Sequence, residues 1–190
     1  MAQPQPEEEA WGLELAAKEG TGPLRELRLL GFSMRTTNVA EGNPDTAKIS
    51  SLWARFFAEK ITDKFKRANP GVMFTCYTEY ESDENGEYTY FIGEEVAAGA
   101  AGEADGLVSL TVPAQHYKVL FSETGPAPVV IAGIWINRIW PDLELKPQRS
   151  FDVDVEVHNR LDLTSAEYKI HVCLGVKHEA DATTAGSGGE

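Results

Sequence analysis

Cysteine, basic residues and long apolar runs are all scarce in this chain, and each shortage excludes a class of protein. Only two cysteines occur, Cys76 and Cys173. That is too few for a disulfide framework, and they are not spaced as metal ligands. Both fall in segments that read as strands, so a buried free thiol is expected at each. No apolar run approaches the ~20 residues needed to cross a bilayer. The acidic start from Met1 to Glu9 lacks the basic-then-apolar pattern of a secretory signal. A cytoplasmic protein with no membrane partner is therefore expected. Lysine and arginine total 17 against 30 aspartates and glutamates, a formal net charge of -13. Nucleic acid needs a basic face, so no direct nucleic-acid contact is expected, whereas a cationic ligand is compatible with the charge. Nucleophile elbow, phosphate loop, dinucleotide fingerprint and metal-binding helix are all missing. His116, His158 and His171 show no zinc-ligand spacing. No metal and no cofactor are expected.

The 190 residues are 42% hydrophobic, enough for one well-buried domain or two small fused modules. Residues 1–22 read as an acidic, largely flexible arm, in which Trp11, Leu13 and Leu15 offer a short docking segment. Residues 177–190 read as a flexible tail. Between them one order of elements is read twice. Leu24 to Thr37 alternates as a strand. A helix then starts near Asp45, capped by Asn43 or Asp45, with Ile49, Leu52, Trp53, Phe56 and Phe57 on one face. Strands Val72 to Glu81 and Tyr88 to Val96 follow, joined through Asn85-Gly86 as a hairpin. Ala97 to Gly106 reads as a linker. The second half repeats the plan: a strand from Leu107 to Glu123, kinked or placed at an edge by Pro113, then a helix carrying Ile131, Ile134, Trp135 and Ile139 that Pro141 ends. Strands Phe151 to His158 and Tyr168 to Val176 complete it. The expected fold is α+β: two pseudo-symmetric β-α-β-β modules, about 23–96 and 107–176, in one domain over 23–176. They form a mostly antiparallel curved sheet with two main helices and a central cleft, because joining the modules covers the open sheet edges and the apolar helix faces together.

Alternation on Phe151 to His158 puts Phe151, Val153, Val155 and Val157 on one side and Asp152, Asp154, Glu156 and His158 on the other. The residues alone leave two readings of that second side open, a solvated face or a ligand site. Trp53 and Trp135 occupy matching helix positions and are equally open between core packing and a pocket. The acids Glu79, Glu81, Asp83, Glu84 and Glu87 lack a calcium-loop pattern and read as a solvated hairpin.

The duplicated plan is similar to the GyrI-like effector-binding domains, which also form the ligand-sensing part of several multidrug-responsive regulators. Ile49-Ser-Ser-Leu-Trp53-Ala-Arg-Phe56 resembles the family's first helix. Tyr77-Thr-Glu-Tyr80-Glu81-Ser-Asp83 and Gly86-Glu-Tyr88-Thr-Tyr90-Phe-Ile-Gly93 resemble its first hairpin. Val112-Pro113-Ala114-Gln-His-Tyr117 resembles the start of its second module. Trp140-Pro141 and Arg149-Ser-Phe151-Asp-Val-Asp154-Val-Glu156-Val-His158 resemble its last helix and the strand bearing a ligand-facing glutamate. Gln115 stands where the family commonly has glycine, and His158 where it often has tyrosine. The resemblance implies a small-molecule site in the cleft, for an amphipathic, aromatic or cationic compound, in a sensor or sequestering protein. Its ligand-binding residues would be Glu156, Trp53, Trp135, Tyr80, Tyr90, Phe91, Tyr117 and His158, with Tyr77 a further candidate. Two alternatives accompany that reading. One is a hydrolase of strained electrophiles such as cyclopropane-containing genotoxins, with Glu156 as base and Tyr117 or His158 as donor. The other is a gyrase-interacting inhibitor with a protein partner. A helix-turn-helix is not expected, since the first ~22 residues are too few to hold one.

Overall fold

A computed structural model describes residues 19–100, 104, 106–159 and 163–177. The expectations for the arm up to residue 18, for parts of the 97–106 linker and of the last turn, and for the tail from residue 178 lie outside these residues.

Eight strands form one antiparallel sheet: β1 (Gly20–Leu24), β2 (Leu27–Thr36), β3 (Val72–Thr78), β4 (Tyr88–Glu95), β5 (Val108–Val112), β6 (Gln115–Phe121), β7 (Val153–Asn159) and β8 (Ile170–Gly175). Their order is β1-β6-β8-β7-β3-β4-β2-β5. It reads the same from both ends when β1 is exchanged with β5, β6 with β2, β8 with β4 and β7 with β3. The pseudo-two-fold relation therefore runs between β3 and β7, where the modules join in register from Val72 opposite Asn159 to Thr78 opposite Val153.

Two strands read from sequence as continuous are each broken at a corner. Leu24 to Thr37 becomes β1 and β2, parted by Arg25 and Glu26. Leu107 to Glu123 becomes β5 and β6, parted by Pro113 and Ala114. At each corner the chain crosses to the opposite end of the strand order, so β1 pairs with β6 and β5 with β2. Two linking residues can span that step only because the sheet curls until its ends approach. Alternation could not reveal the corners, because Leu24, Leu27 and Leu29, like Val112, Tyr117 and Val119, all enter the same core inside the curl. Pro113 leaves β5 as a five-residue edge strand, as its missing N–H requires. The sheet starts at Gly20 rather than residue 23, and its first residues pair with β6.

The helices lie on the other face. A short α1 (Asn38–Glu41) precedes α2 (Ile49–Ala58), and α3 (Ala127–Ile134) continues into a π turn, Trp135–Ile139. Leu52 and Phe56 of α2 pack on Met73, Tyr90 and Ile92, whereas Val130 and Ile134 of α3 pack on Ile170, Val172 and Leu174. α2 starts at Ile49, not near Asp45. Asn43 instead closes a local turn, accepting from the Asp45 N–H at 3.0 Å. The cap comes from α1: the Glu41 carboxylate accepts the backbone N–H groups of Lys48 and Ile49 at 3.1 Å. A carboxylate there satisfies orphan donors and meets the positive end of the helix dipole. Glu41→Ala is expected to cost about 1–2 kcal/mol, measured by urea denaturation. The loop over residues 79–87 is longer than a two-residue hairpin, and Asn85 there donates its backbone N–H to Asp83 at 2.9 Å. Cys76 and Cys173 are both buried free thiols inside the curl. Among the described residues, no helix is long and apolar enough to cross a membrane.

Candidate ligand-binding site

Because α2 and α3 cover separate modules, a gap remains between them. It is a cavity of about 640 Å³, within the usual range for small-molecule sites. Trp53 and Phe57 border it from α2. Trp135 and Ile136 border it from the π turn, and Trp140 from its C-terminal cap, where the Trp140 N–H reaches the Trp135 carbonyl at 2.9 Å. Tyr77, Tyr88 and Tyr90 border it from the sheet, and Glu41, Tyr80, Glu84 and Arg149 are also among the lining residues. The rings touch one another: Tyr77 lies 4.8 Å from Trp135 and 5.2 Å from Tyr90 between centroids. The Trp53 indole donates to the Tyr90 hydroxyl at 2.8 Å.

Glu156 stands behind this lining and is not part of it. Its side of β7 is not solvated: Asp154, Glu156 and His158 are each 0% exposed. β7 is central in the sheet, and the helices close over the face that alternation left open. One carboxylate oxygen accepts the Tyr77 hydroxyl at 3.0 Å and the Trp135 indole N–H at 2.5 Å. The other accepts the Thr75 hydroxyl and lies 3.1 Å from His158 Nε2. These contacts occupy the roughly four acceptor sites of a carboxylate. Burial pushes the Glu156 carboxyl up. The hydrogen bond and electrostatic pull of His158, with the bonds from Thr75 and Trp135, outweigh it and hold the group below its ordinary value. The result is a fixed anion that also sets the orientation of two lining rings.

His158 also lies behind the lining. Its Nδ1 pairs with the Tyr168 hydroxyl at 2.7 Å, and its ring meets the Trp53 ring edge-on at 5.3 Å. Two expected ligand residues are elsewhere. Phe91 and Tyr117 belong to the core inside the curl, and the Tyr117 hydroxyl donates to the Pro113 carbonyl at 3.2 Å. Strand alternation explains both, since Tyr88 and Tyr90 face the helices and Phe91 cannot. Glu156 and Tyr117, paired in the hydrolase reading, thus stand on opposite faces of the sheet. Trp53, Trp135, Tyr80 and Tyr90 do border the cavity.

Tyr77 and Tyr80 both border it, although strict alternation would oppose them. β3 ends at Thr78, and Glu79 adopts a left-handed φ of 50°, which breaks the alternation and returns Tyr80 to the same side. Tyr80 donates to Asp154 at 2.6 Å, Arg149 donates to the same oxygen at 2.5 Å, and the Gly175 N–H reaches the other at 2.9 Å. A Cβ on Gly175 would lie 2.7 Å from the Val153 carbonyl oxygen, so only glycine allows that approach. Phe151, with φ 59°, places its ring 4.2 Å from the Arg149 guanidinium carbon. A left-handed φ at such a bulky residue costs on the order of 1–2 kcal/mol.

Sequence reasoning missed Phe57, Tyr88, Trp140, Glu41, Glu84 and Arg149 as lining residues. Tyr88 was accessible to it, two positions from Tyr90 on the same strand face. Arg149 had no such signal, because it follows a single 3-10 turn, Lys146–Gln148. Among the described residues no group of three or more His, Cys, Asp or Glu side chains is arranged to hold a metal.

A search of curated protein sequences gives no significant match. Among solved structures, the fold is similar to an integron cassette protein from the mobile metagenome of Vibrio cholerae, with TM-score 0.68 and 23% identity over 85% of this chain and 97% of that one. It is similar to SAV2435 bound to tetraphenylphosphonium, with TM-score 0.65 and 15% identity over 88% and 98% of the two chains. It is also similar to a putative bacterial transcription regulation protein from Staphylococcus aureus MU50, with TM-score 0.62 and 16% identity over 85% and 99%. These likenesses establish the fold. The family profile of integron-associated effector binding proteins, Cass2, matches residues 24–173. With that match spanning most of the chain, the protein belongs to the integron-associated effector-binding family, which is GyrI-like.

Proposed function

We propose that this protein binds amphipathic aromatic cations in the cavity between α2 and α3, as a sensor or sequestering protein. The observation that carries this is the lining: eight aromatic side chains border the cavity, with the ionised Glu156 fixed behind two of them. Ring faces attract cations, and a bulky aromatic cation is weakly hydrated and sheds its water at little cost. The surrounding charge has the matching sign. Glu41 and Glu84 border the cavity against one cation, Arg149, and Asp154 and Glu156, the latter with His158 beside it, are buried behind it. Burial pushes the phenols of Tyr77, Tyr80 and Tyr90 well above their ordinary value, so they present neutral rings, with their hydroxyls bonded to Glu156, Asp154 and Trp53. The tetraphenylphosphonium held by SAV2435, a fold neighbour, is a ligand of this class.

Tetraphenylphosphonium and tetraphenylborate have nearly one shape and opposite charge, so the pair separates charge recognition from apolar burial. The cation at 100 times its Kd is expected to stabilise the protein by about 2.7 kcal/mol in thermal unfolding, and the anion not to. Trp53→Ala is expected to weaken the cation about tenfold by removing one ring wall. Equal binding of both ions, or of neither, would overturn the reading.

A further inference from the structure

Arg149 and Glu84, both on the cavity wall, each carry a buried polar atom without a hydrogen-bond partner, and of the two only Arg149 is a donor. Arg149 is 3% exposed and borders the cavity. A guanidinium carries five N–H donors, yet among the described residues only Nη2 has an acceptor, Asp154. Its Nε is buried without a partner. Buried donors are normally satisfied, and this one is held in place at some expense. Asp154 anchors one side of the guanidinium, and Tyr80 and Gly175 anchor Asp154 in turn. Phe151 takes a left-handed φ of 59° with its ring stacked 4.2 Å from the guanidinium carbon, and Trp135 flanks it at 5.9 Å. A strained residue supporting a rigid, under-satisfied donor at a cavity is the pattern of a preorganised binding group.

We propose that Arg149 is a hydrogen-bond subsite for a neutral acceptor on the ligand, a carbonyl or similar oxygen attached to its aromatic body. The charge balance selects neutral over anionic. Asp154 already pairs with the guanidinium, and Glu84, itself paired with Lys146, borders the same cavity. A carboxylate entering there would meet both acids, whereas a ketone or amide oxygen takes an unpaired guanidinium N–H without adding charge. The ligand class is then narrower than hydrophobic cations in general: aromatic cations bearing a carbonyl-type oxygen. This rests on the cavity being the ligand site.

The test uses two isosteric probes, (4-acetylbenzyl)triphenylphosphonium and (4-isopropylbenzyl)triphenylphosphonium, with affinities from calorimetry. The wild type is expected to favour the acetyl probe about tenfold, the size of one charge-assisted hydrogen bond. In the paired variant Arg149→Met with Asp154→Asn, which leaves no buried charge unmatched, the ratio of the two affinities is expected to fall to about one. Equal binding of the probes to the wild type overturns the subsite and leaves the cavity reading standing. A preference that survives in the paired variant overturns the assignment to Arg149. Binding of neither probe overturns the subsite together with the proposed function.

Discussion

Arg149→Met alone is expected to destabilise the protein by about 3–5 kcal/mol, the range seen when one partner of a buried ion pair is removed. The side chains of Arg149 and Asp154 are 4% and 0% exposed, so solvent does not replace the lost charge. Asp154 would keep the Tyr80 hydroxyl and the Gly175 N–H, two neutral donors facing a buried carboxylate. Adding Asp154→Asn removes that stranded charge and is expected to recover most of the loss. The double variant should therefore be more stable than the single one, a sign that simple loss of packing cannot produce. Urea denaturation of the wild type, both single variants and the double variant closes the cycle. If Arg149→Met unfolds at the wild-type midpoint, the buried pair described here does not exist in solution.

This cluster also shows where the sequence stopped being readable. The repeated strand-helix-strand-strand order was legible because it rests on periodicity, and periodicity survives wherever one face of an element is buried. The corners at Arg25-Glu26 and Pro113-Ala114 were not, since the residues on both sides of each corner enter a common core. The cavity lining was legible to the same depth. Trp53, Trp135, Tyr80 and Tyr90 border the cavity because they lie on the helix faces or the sheet face that patterning identifies. Phe91 and Tyr117 do not, because their alternation sends them inward. Tyr80 and Arg149 depend on single left-handed residues, Glu79 and Phe151. Neither residue type announces a positive φ, as glycine or asparagine would. The burial of Glu156 depended on where β7 sits in the sheet, and strand order is a tertiary property that alternation along one strand cannot supply.

Glu156→Gln is expected to weaken tetraphenylphosphonium about 30-fold while leaving the fold intact. A cation centred about 8 Å from the carboxylate gains roughly 2 kcal/mol at an effective dielectric of about 20, which is that factor. The amide keeps the shape and can still accept the Trp135 and Tyr77 donors through its oxygen. Its NH₂ would face Thr75, whose hydroxyl reverses, and His158 Nε2, which accepts from it once the imidazole proton sits on Nδ1 and points at the Tyr168 hydroxyl, so the lining rings keep their orientation. Glu156→Leu is the contrasting case. It leaves the Trp135 N–H without an acceptor and should lower stability as well as affinity. The pH dependence of stability supplies an independent check on the charge. The folded carboxyl lies below its ordinary value of 4.5. Its ionisation therefore contributes stability above pH 4.5, and that contribution is lost as the pH falls through the lower folded value. The stability gap between the wild type and Glu156→Gln should hold above pH 4.5 and narrow below it. A gap that widens on acidification would mean that Glu156 is protonated in the folded protein. An affinity loss in Glu156→Gln that equally affected a neutral ligand such as triphenylphosphine oxide would trace to the displaced rings of Tyr77 and Trp135 rather than to the missing charge.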